Sequence, residues 1–205
     1  MTERKPLGVI LAGGQATRMG GGDKGALVVG GRSMLDRVIV RLGPQVERLV
    51  LNANGDAARF AEYGLPVVAD SLPDYPGPLA GVLAGMEWAA AQGASHIVTA
   101  AADTPFFPED LVARLTRAAE RASTPIALAA TYEGGRANRH PTFGLWPVNL
   151  RADLRAALEG GLRKVVLWTD KHGAATAAFE DGAFFNVNTP EDLTEAERRV
   201  AEGQV

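Results

Sequence analysis

The run Leu11-Ala12-Gly13-Gly14-Gln15-Ala16-Thr17-Arg18-Met19-Gly20-Gly21-Gly22-Asp23-Lys24-Gly25 combines small residues and cations in a way that suits an anion. Six of the 13 positions from 13 to 25 are glycine. Glycine lets backbone N–H groups approach and wrap an anion, and Arg18 and Lys24 add two positive charges. The run follows Leu7–Leu11, an apolar segment that reads as a strand, and open α/β sheets bind ligands where such strands end. A flexible surface loop is the competing reading. Two familiar signatures fail. Gly20-Gly21-Gly22-Asp23-Lys24-Gly25 matches G-x-G-x-x-G, but it begins nine residues past Leu11 and leads into strand-like Leu27-Val28-Val29. The dinucleotide fingerprint needs a strand before it and a helix after it. A Walker A loop needs Gly-Lys, a pair that never occurs in this chain.

Five further constellations carry chemistry. Asn52-Ala53-Asn54-Gly55 follows a second apolar run, and a strand-end Asn offers both a donor and an acceptor. Asn54-Gly55 itself reads as a turn. Asp70 sits just past the apolar run 65–68, either as a ligand-facing carboxylate or as the start of an Asp-turn. Asp103 ends the run His96–Ala101, where a hard oxygen ligand suits Mg²⁺; capping the helix after Pro108 is the alternative, made poor by the gap of five residues. Alternation places Asn186 and Asn188 on one side of an extended segment, both within reach of one phosphate–metal centre. Arg136-Ala137-Asn138-Arg139-His140-Pro141-Thr142 puts two arginines and a histidine in an irregular stretch, either as an anion-holding segment or as a solvated loop. His96 and His172 lack spaced partners and read as structural.

The elements that must position these groups alternate in apolar period. Strand-like runs occupy 7–11, 46–51, 65–68, 96–101, 126–130 and 174–179. Met34, Leu35, Val38, Ile39 and Leu42 share one helical face. Residues 79–91 are apolar on most sides, as in a buried helix. Pro108-Glu109-Asp110 opens a helix ending near Arg121, and Thr189-Pro190-Glu191-Asp192 opens the last one with Thr189 as N-cap. This order implies βαβ crossovers and a three-layer α/β sandwich with a mainly parallel sheet. The pattern breaks over 131–147, where Gly134-Gly135 and Pro141 punctuate a hairpin or insertion, and helical patterning returns at 148–158 and 163–168. One domain spanning 1–205 is expected, with an insert near 131–147.

Composition narrows the classes. The chain has 205 residues, 46% hydrophobic and 22% charged, the balance of a folded globular protein. A net charge of −3 provides no global field for nucleic acid. Zero cysteines exclude disulfides, thiolate catalysis and Cys-based metal sites, in keeping with a reducing cytoplasm. The longest uncharged stretch, 88–102, falls short of the roughly 20 apolar residues of a spanning helix, so no membrane association is expected.

Leu-Ala-Gly-Gly-x-x-x-Arg-Met-Gly followed by Asp-Lys-Gly resembles the signature loop of the nucleotidyltransferases with a glycosyltransferase-A-like (nucleotide-diphospho-sugar transferase) fold. Among them the chain looks most similar to the molybdenum cofactor guanylyltransferases. The order strand-loop, Asp-Lys-Gly, Asn-Ala-Asn, Asp-Ser-Leu, Asp-Thr-Pro, Asn-Val-Asn-Thr-Pro matches that family from residue 11 to 193, as does the run Tyr75-Pro76-Gly77-Pro78-Leu79-Ala80-Gly81. Gly20-Gly21-Gly22 departs from the family pattern; no charged group is lost.

The resemblance implies GTP as substrate, molybdopterin or its molybdenum-loaded form as acceptor, and Mg²⁺ as cofactor. It implies nucleotide contacts at Leu11, Ala12, Gly13, Gly14, Lys24, Asn52, Asp70 and Asp103, with Asp103 as the metal ligand and Arg18, Lys24 and Asp103 as the catalytic groups. The carboxylate of Asp70 suits the N1–H and N2–H₂ donors of guanine. Arg139, His140, Asn186 and Asn188 are the candidates for acceptor or phosphate contacts. A cytoplasmic monomer is expected, in transient contact with other cofactor-biosynthesis or molybdoenzyme-maturation proteins. The competing readings are a cytidylyltransferase of the same cofactor, a sugar-phosphate nucleotidylyltransferase, and a non-catalytic nucleotide-binding protein. In the family, Leu-Ala-Gly-Gly goes with guanine and Leu-Ala-Ala-Gly with the others, which favours the first reading.

Overall fold

A computed structural model describes residues 4–13, 24–72 and 77–204, with Lys24 by its backbone alone. The strands are β1 (Leu7–Leu11), β2 (Val28–Val29), β3 (Arg32–Ser33), β4 (Leu49–Asn52), β5 (Val67–Val68), β6 (His96–Ala101), β7 (Ala127–Glu133), β8 (Arg136–Pro147) and β9 (Ala175–Phe179). The helices are α1 (Met34–Leu42), α2 (Pro78–Ala91), α3 (Leu111–Ala122), α4 (Arg151–Glu159), α5 (Val165–Lys171) and α6 (Pro190–Ala201). Seven strands form one sheet in the order β5-β4-β1-β6-β8-β7-β9, and β2 and β3 pair separately. The pairs β1–β4, β1–β6, β4–β5 and β7–β9 are parallel; β8 runs antiparallel to both of its neighbours.

Apolar side chains of the inner strands point alternately to two cores, which is why these strands read as unbroken hydrophobic runs. Val9, Val50 and Ile97 pack with Leu83 and Met86 of α2, Leu154 of α4 and Trp168 of α5. Ile10, Leu51 and Val98 pack on the other face with Leu35 and Val38 of α1 and Leu111 and Leu115 of α3. These are the three layers expected from the pattern. A third cluster, with Val29, Met34, Val187 and Ala196, seats α6 beside the β2–β3 pair. A capping box between Thr189 and Asp192 starts α6, as the sequence suggests. No helix of the described residues is long and apolar enough to cross a membrane.

Several bounds differ from the sequence expectation: β4 spans Leu49–Asn52 where 46–51 is expected, β5 only Val67–Val68 where 65–68 is expected, and α5 Val165–Lys171 where 163–168 is expected. Two further differences concern α3 and the hairpin. Helix α3 begins at Leu111 and not at Pro108; Leu111 N–H bonds Pro108 C=O in a turn that precedes the helix. The segment over 131–147 is a hairpin, but its second strand lies inside the sheet, between β6 and β7. Its buried half, Phe143–Pro147 by position, was hidden behind the polar residues that start the strand. Trp146 anchors it by donating from Nε1 to the Thr99 hydroxyl at 2.9 Å in the core.

Helix α2 lies unusually close to the sheet. A Cβ at Gly85 would meet Val9 methyls at 2.6 and 3.0 Å, and one at Gly81 would meet Leu11 at 2.8 Å. The pair at i and i+4 keeps one face of the helix bare where it crosses β1. Gly85→Ala is expected to destabilise the fold, since overpacking costs about 1–3 kcal/mol and outweighs the ~1 kcal/mol that alanine gains over glycine in a helix. Urea unfolding measures it; a variant as stable as the parent would show that the contact is loose.

Candidate active site

The register of the parallel strands brings three chain ends level. Leu11 of β1 pairs with Asn52 of β4 and with Ala101 of β6. The pairing continues past the strands: Ala12 N–H bonds Asn52 C=O at 2.9 Å, and Ala102 N–H bonds Leu11 C=O at 3.1 Å. The residues that follow therefore emerge along a single edge. On one side of it stands the start of α2. On the other, the hairpin turns away. Strand β8 pairs with β6 only as far as Thr99–Gly144, and a bulge then separates the pair Leu128–Gly144 from Ala129–His140. Ala100 and Ala101 thus lack a β8 partner, and the sheet opens beside Asp103.

A cavity of about 470 Å³ fills this opening, within the range of small-molecule sites. It is lined by Leu11, Ala12 and Gly13 after β1, Gly25, Asn52, Asn54 and Asp70, Gly77 and Pro78 at the start of α2, Ala101, Ala102 and Asp103 after β6, Thr142 of β8, and Asn186. The sequence candidates Leu11, Ala12, Gly13, Asn52, Asp70, Asp103 and Asn186 thus share one cavity. Gly14, Arg18 and the side chain of Lys24 lie outside the described residues, as do Tyr75 and Pro76. The flanking Gly13 and Gly25 both line the cavity.

At one end, three polar side chains are locked together. Asn52, 5% exposed, donates from Nδ2 to Asp70 Oδ1 at 2.9 Å. Asn54 donates from Nδ2 to Asp70 Oδ2 at 2.8 Å, and its Oδ1 accepts from the Asp70 N–H at 2.9 Å. Asn52 fits only because Gly81 has no side chain: a Cβ there would lie 2.2 Å from Asn52 Oδ1. Asn54, which reads locally as a turn residue, is thus a cavity residue as well. Its signal is the two-residue spacing from Asn52, which puts both amides on one side of the chain.

At the other end, Asp103 follows β6 half-buried and caps no helix; the N-cap position of α3 is Asp110. Its backbone C=O accepts from Val187 N–H at 2.8 Å, which draws the 186–188 segment to it. The Thr104 hydroxyl donates to Asn186 Oδ1 at 2.5 Å and lies 3.2 Å from Asp103 Oδ1. Carboxylate, amide and hydroxyl oxygens are hard donors, as Mg²⁺ requires. No group of three His, Cys, Asp or Glu side chains is placed to hold a metal ion among the described residues. A cation here would draw its remaining ligands from phosphate and water, which is how Mg²⁺ is ordinarily held.

The remaining candidates stand back from the cavity. Arg139 is in an ion pair with Asp170 at 2.5 Å, tying the hairpin to α5. Asn188 begins the turn into α6, its N–H bonded to Asp192 at 2.9 Å. His140 Nε2 lies 3.0 Å from the Thr131 hydroxyl, and its ring stacks on Phe184 at 4.5 Å, two residues before Asn186. Burial pushes its pKa below the ordinary histidine value. His172 proves structural: it bonds Asp153 at 2.9 Å and packs on Trp168 at 4.6 Å.

A family model described as "MobA-like NTP transferase domain" matches residues 8–174. A molybdenum cofactor guanylyltransferase of Bradyrhizobium sp. (strain ORS 278) is 54% identical over 200 residues, covering 95% of this chain and 92% of that protein. One from Cereibacter sphaeroides is 53% identical over 192 residues, covering 93% and 95%. The solved structure of molybdopterin-guanine dinucleotide biosynthesis protein A from Archaeoglobus fulgidus shares the fold at a TM-score of 0.73 and 21% identity, over 96% of this chain and 99% of that one.

The partly buried His140 ring makes stability depend on pH. A pKa lowered in the folded state means that the unfolded chain binds the proton first, so stability is full above the unfolded value, near 6.5, and declines as the pH falls below it. The stability of the parent relative to His140→Gln should therefore shrink between about pH 7.5 and 5.5 in urea unfolding. A gap that stays constant or widens on acidification contradicts this.

Proposed function

The chain belongs to the MobA-like NTP transferase domain family, and we propose that it transfers GMP from GTP to molybdopterin or its molybdenum-loaded form, releasing pyrophosphate. The product is the guanine dinucleotide form of the cofactor. The observation that carries this reading is the single cavity at the strand ends, with Asp70 in one wall and Asp103 in another.

Asp70 presents a carboxylate to the base. Guanine offers two adjacent donors, N1–H and N2–H₂, and a carboxylate accepts both. Adenine and cytosine each place an acceptor beside their amino group on that edge, which the carboxylate repels. This favours GTP over CTP, and so favours guanylyl transfer over cytidylyl transfer to the same cofactor.

The described lining holds two carboxylates and no Lys, Arg or His. A triphosphate in this cavity needs cations from elsewhere. Arg18 and Lys24 belong to the segment whose ends, Gly13 and Gly25, both line the cavity, and they are the protein cations assigned to the phosphates. The start of α2 adds the positive end of a 14-residue helix dipole. Asp103, with Asn186 beside it, would hold Mg²⁺, which would neutralise charge on the phosphate oxygens.

The transfer forms a bond from an acceptor phosphate oxygen to the α-phosphorus and breaks the bond from that phosphorus to the pyrophosphate oxygen. An acceptor phosphate is already ionised at neutral pH, so no general base is required. Positioning and charge stabilisation carry the catalysis.

Pyrophosphate release with molybdopterin and each of GTP, CTP, ATP and UTP tests this directly. GTP should be strongly preferred; equal use of CTP contradicts the guanine reading. Asp103→Asn should fold normally and lose about 10²-fold or more in transfer, the scale of one transition-state electrostatic contact, and EDTA should silence the parent. Activity that survives both treatments removes Asp103 and the metal from the account.

A further inference from the structure

The geometry points to Asn54 as a positioning residue for base selection: it holds the plane of the Asp70 carboxylate so that one free acceptor site on each oxygen meets the two donors of guanine. This rests on Asp70 as the base reader in the function proposed above.

An ionised carboxylate has about four lone-pair sites. The amide of Asn52 takes one on Oδ1 and the amide of Asn54 takes one on Oδ2. One site then remains on each oxygen, in the plane of the group. Rotation about the Cβ–Cγ bond of aspartate is intrinsically broad, so a lone Asp would not hold that plane. Two donors on the two oxygens stop the rotation. Asn54 contributes more than its donor, because its Oδ1 takes the Asp70 N–H and so fixes the backbone from which the carboxylate hangs.

Asn54 is itself held in place. Its backbone C=O accepts from Arg59 at 2.7 Å. The chain turns immediately after it through Gly55 at φ +84, a conformation that glycine adopts without strain. Asn52 reaches the same carboxylate from a buried position and also donates to Val68 C=O at 3.3 Å, so its amide is shared. Both polar atoms of the Asn54 side chain are committed to Asp70.

The test compares GTP with ITP, which keeps N1–H but lacks the N2 amino group. In the parent, the second acceptor should give GTP a clear advantage in kcat/KM and in equilibrium binding. Asn54→Ala frees Oδ2 and lets the plane turn. KM for GTP should rise about tenfold, the scale of one hydrogen bond to a charged group, with kcat at saturation nearly unchanged. The preference for GTP over ITP should fall by a similar factor. A role in stability alone would shift the unfolding midpoint and leave that preference intact, and that result overturns the inference. Asp70→Asn is measured in parallel. If Asp70→Asn erodes the preference and Asn54→Ala does not, the positioning role falls while base reading at Asp70 stands. If neither variant changes it, base reading at Asp70 falls as well.

Discussion

Parallel strands β1, β4 and β6 are hydrogen-bonded in a register that pairs Leu11 with both Asn52 and Ala101. Each strand is buried on both faces, so a slip of one residue would exchange the two cores and is strongly opposed. The residues just past the three ends, Ala12, Ala53 and Ala102, are therefore fixed in space by packing far from the site. Small residues there leave room, and the polar groups of Asn52, the last residue of β4, and of Asp70 and Asp103, just past β5 and β6, are delivered around that room. The glycines of α2 belong to the same constraint. They let the helix press against β1, which brings Gly77 and Pro78 to the cavity and leaves a niche for the Asn52 side chain.

The opening beside Asp103 lies where β8 leaves β6. Strand β8 fills the place beside β6 up to Thr99 and then departs through the bulge opposite Leu128 and Ala129. Phe143 turns into the core, while Thr142 lines the cavity. Phe184 closes the arrangement from behind, with its ring against His140, Phe143 and Phe179 at 4.5, 4.7 and 5.1 Å. That contact seats the segment carrying Asn186, and the Asp103 C=O takes the next N–H of it, from Val187. Packing of one aromatic side chain and one backbone hydrogen bond thus brings residues 103 and 186 into a single wall.

Strong local periodicity was legible. β1 and β6 match the sequence expectation at both ends, and α1 and α2 match to within a residue, because apolar period and bounding glycines or caps agree there. Strand β8 was not legible as part of the sheet. Its first half is polar and exposed, and only its last residues carry a core pattern, so the local signal is that of a loop. The site followed the same rule. Carboxylates and amides at strand ends were visible, since a strand followed by a polar residue is a local signal. Partnerships across the chain were not. Asp70 meets Asn54 from 16 residues away, and Arg139 meets Asp170 from 31. Nothing in the spacing of Arg139 distinguishes an arginine that neutralises an aspartate from one that waits for a phosphate.

In the function proposed above, one cavity holds base and phosphates in a fixed direction, with guanine at Asp70 and the phosphates towards Asp103. A crystal structure of the protein with Mg²⁺ and a non-hydrolysable GTP analogue tests this most directly. The expected result is guanine N1 and N2 within hydrogen-bonding distance of the two Asp70 oxygens and a metal ion between Asp103 and the phosphate oxygens. Guanine placed against Asp103, or a nucleotide bound outside the cavity, would overturn that placement.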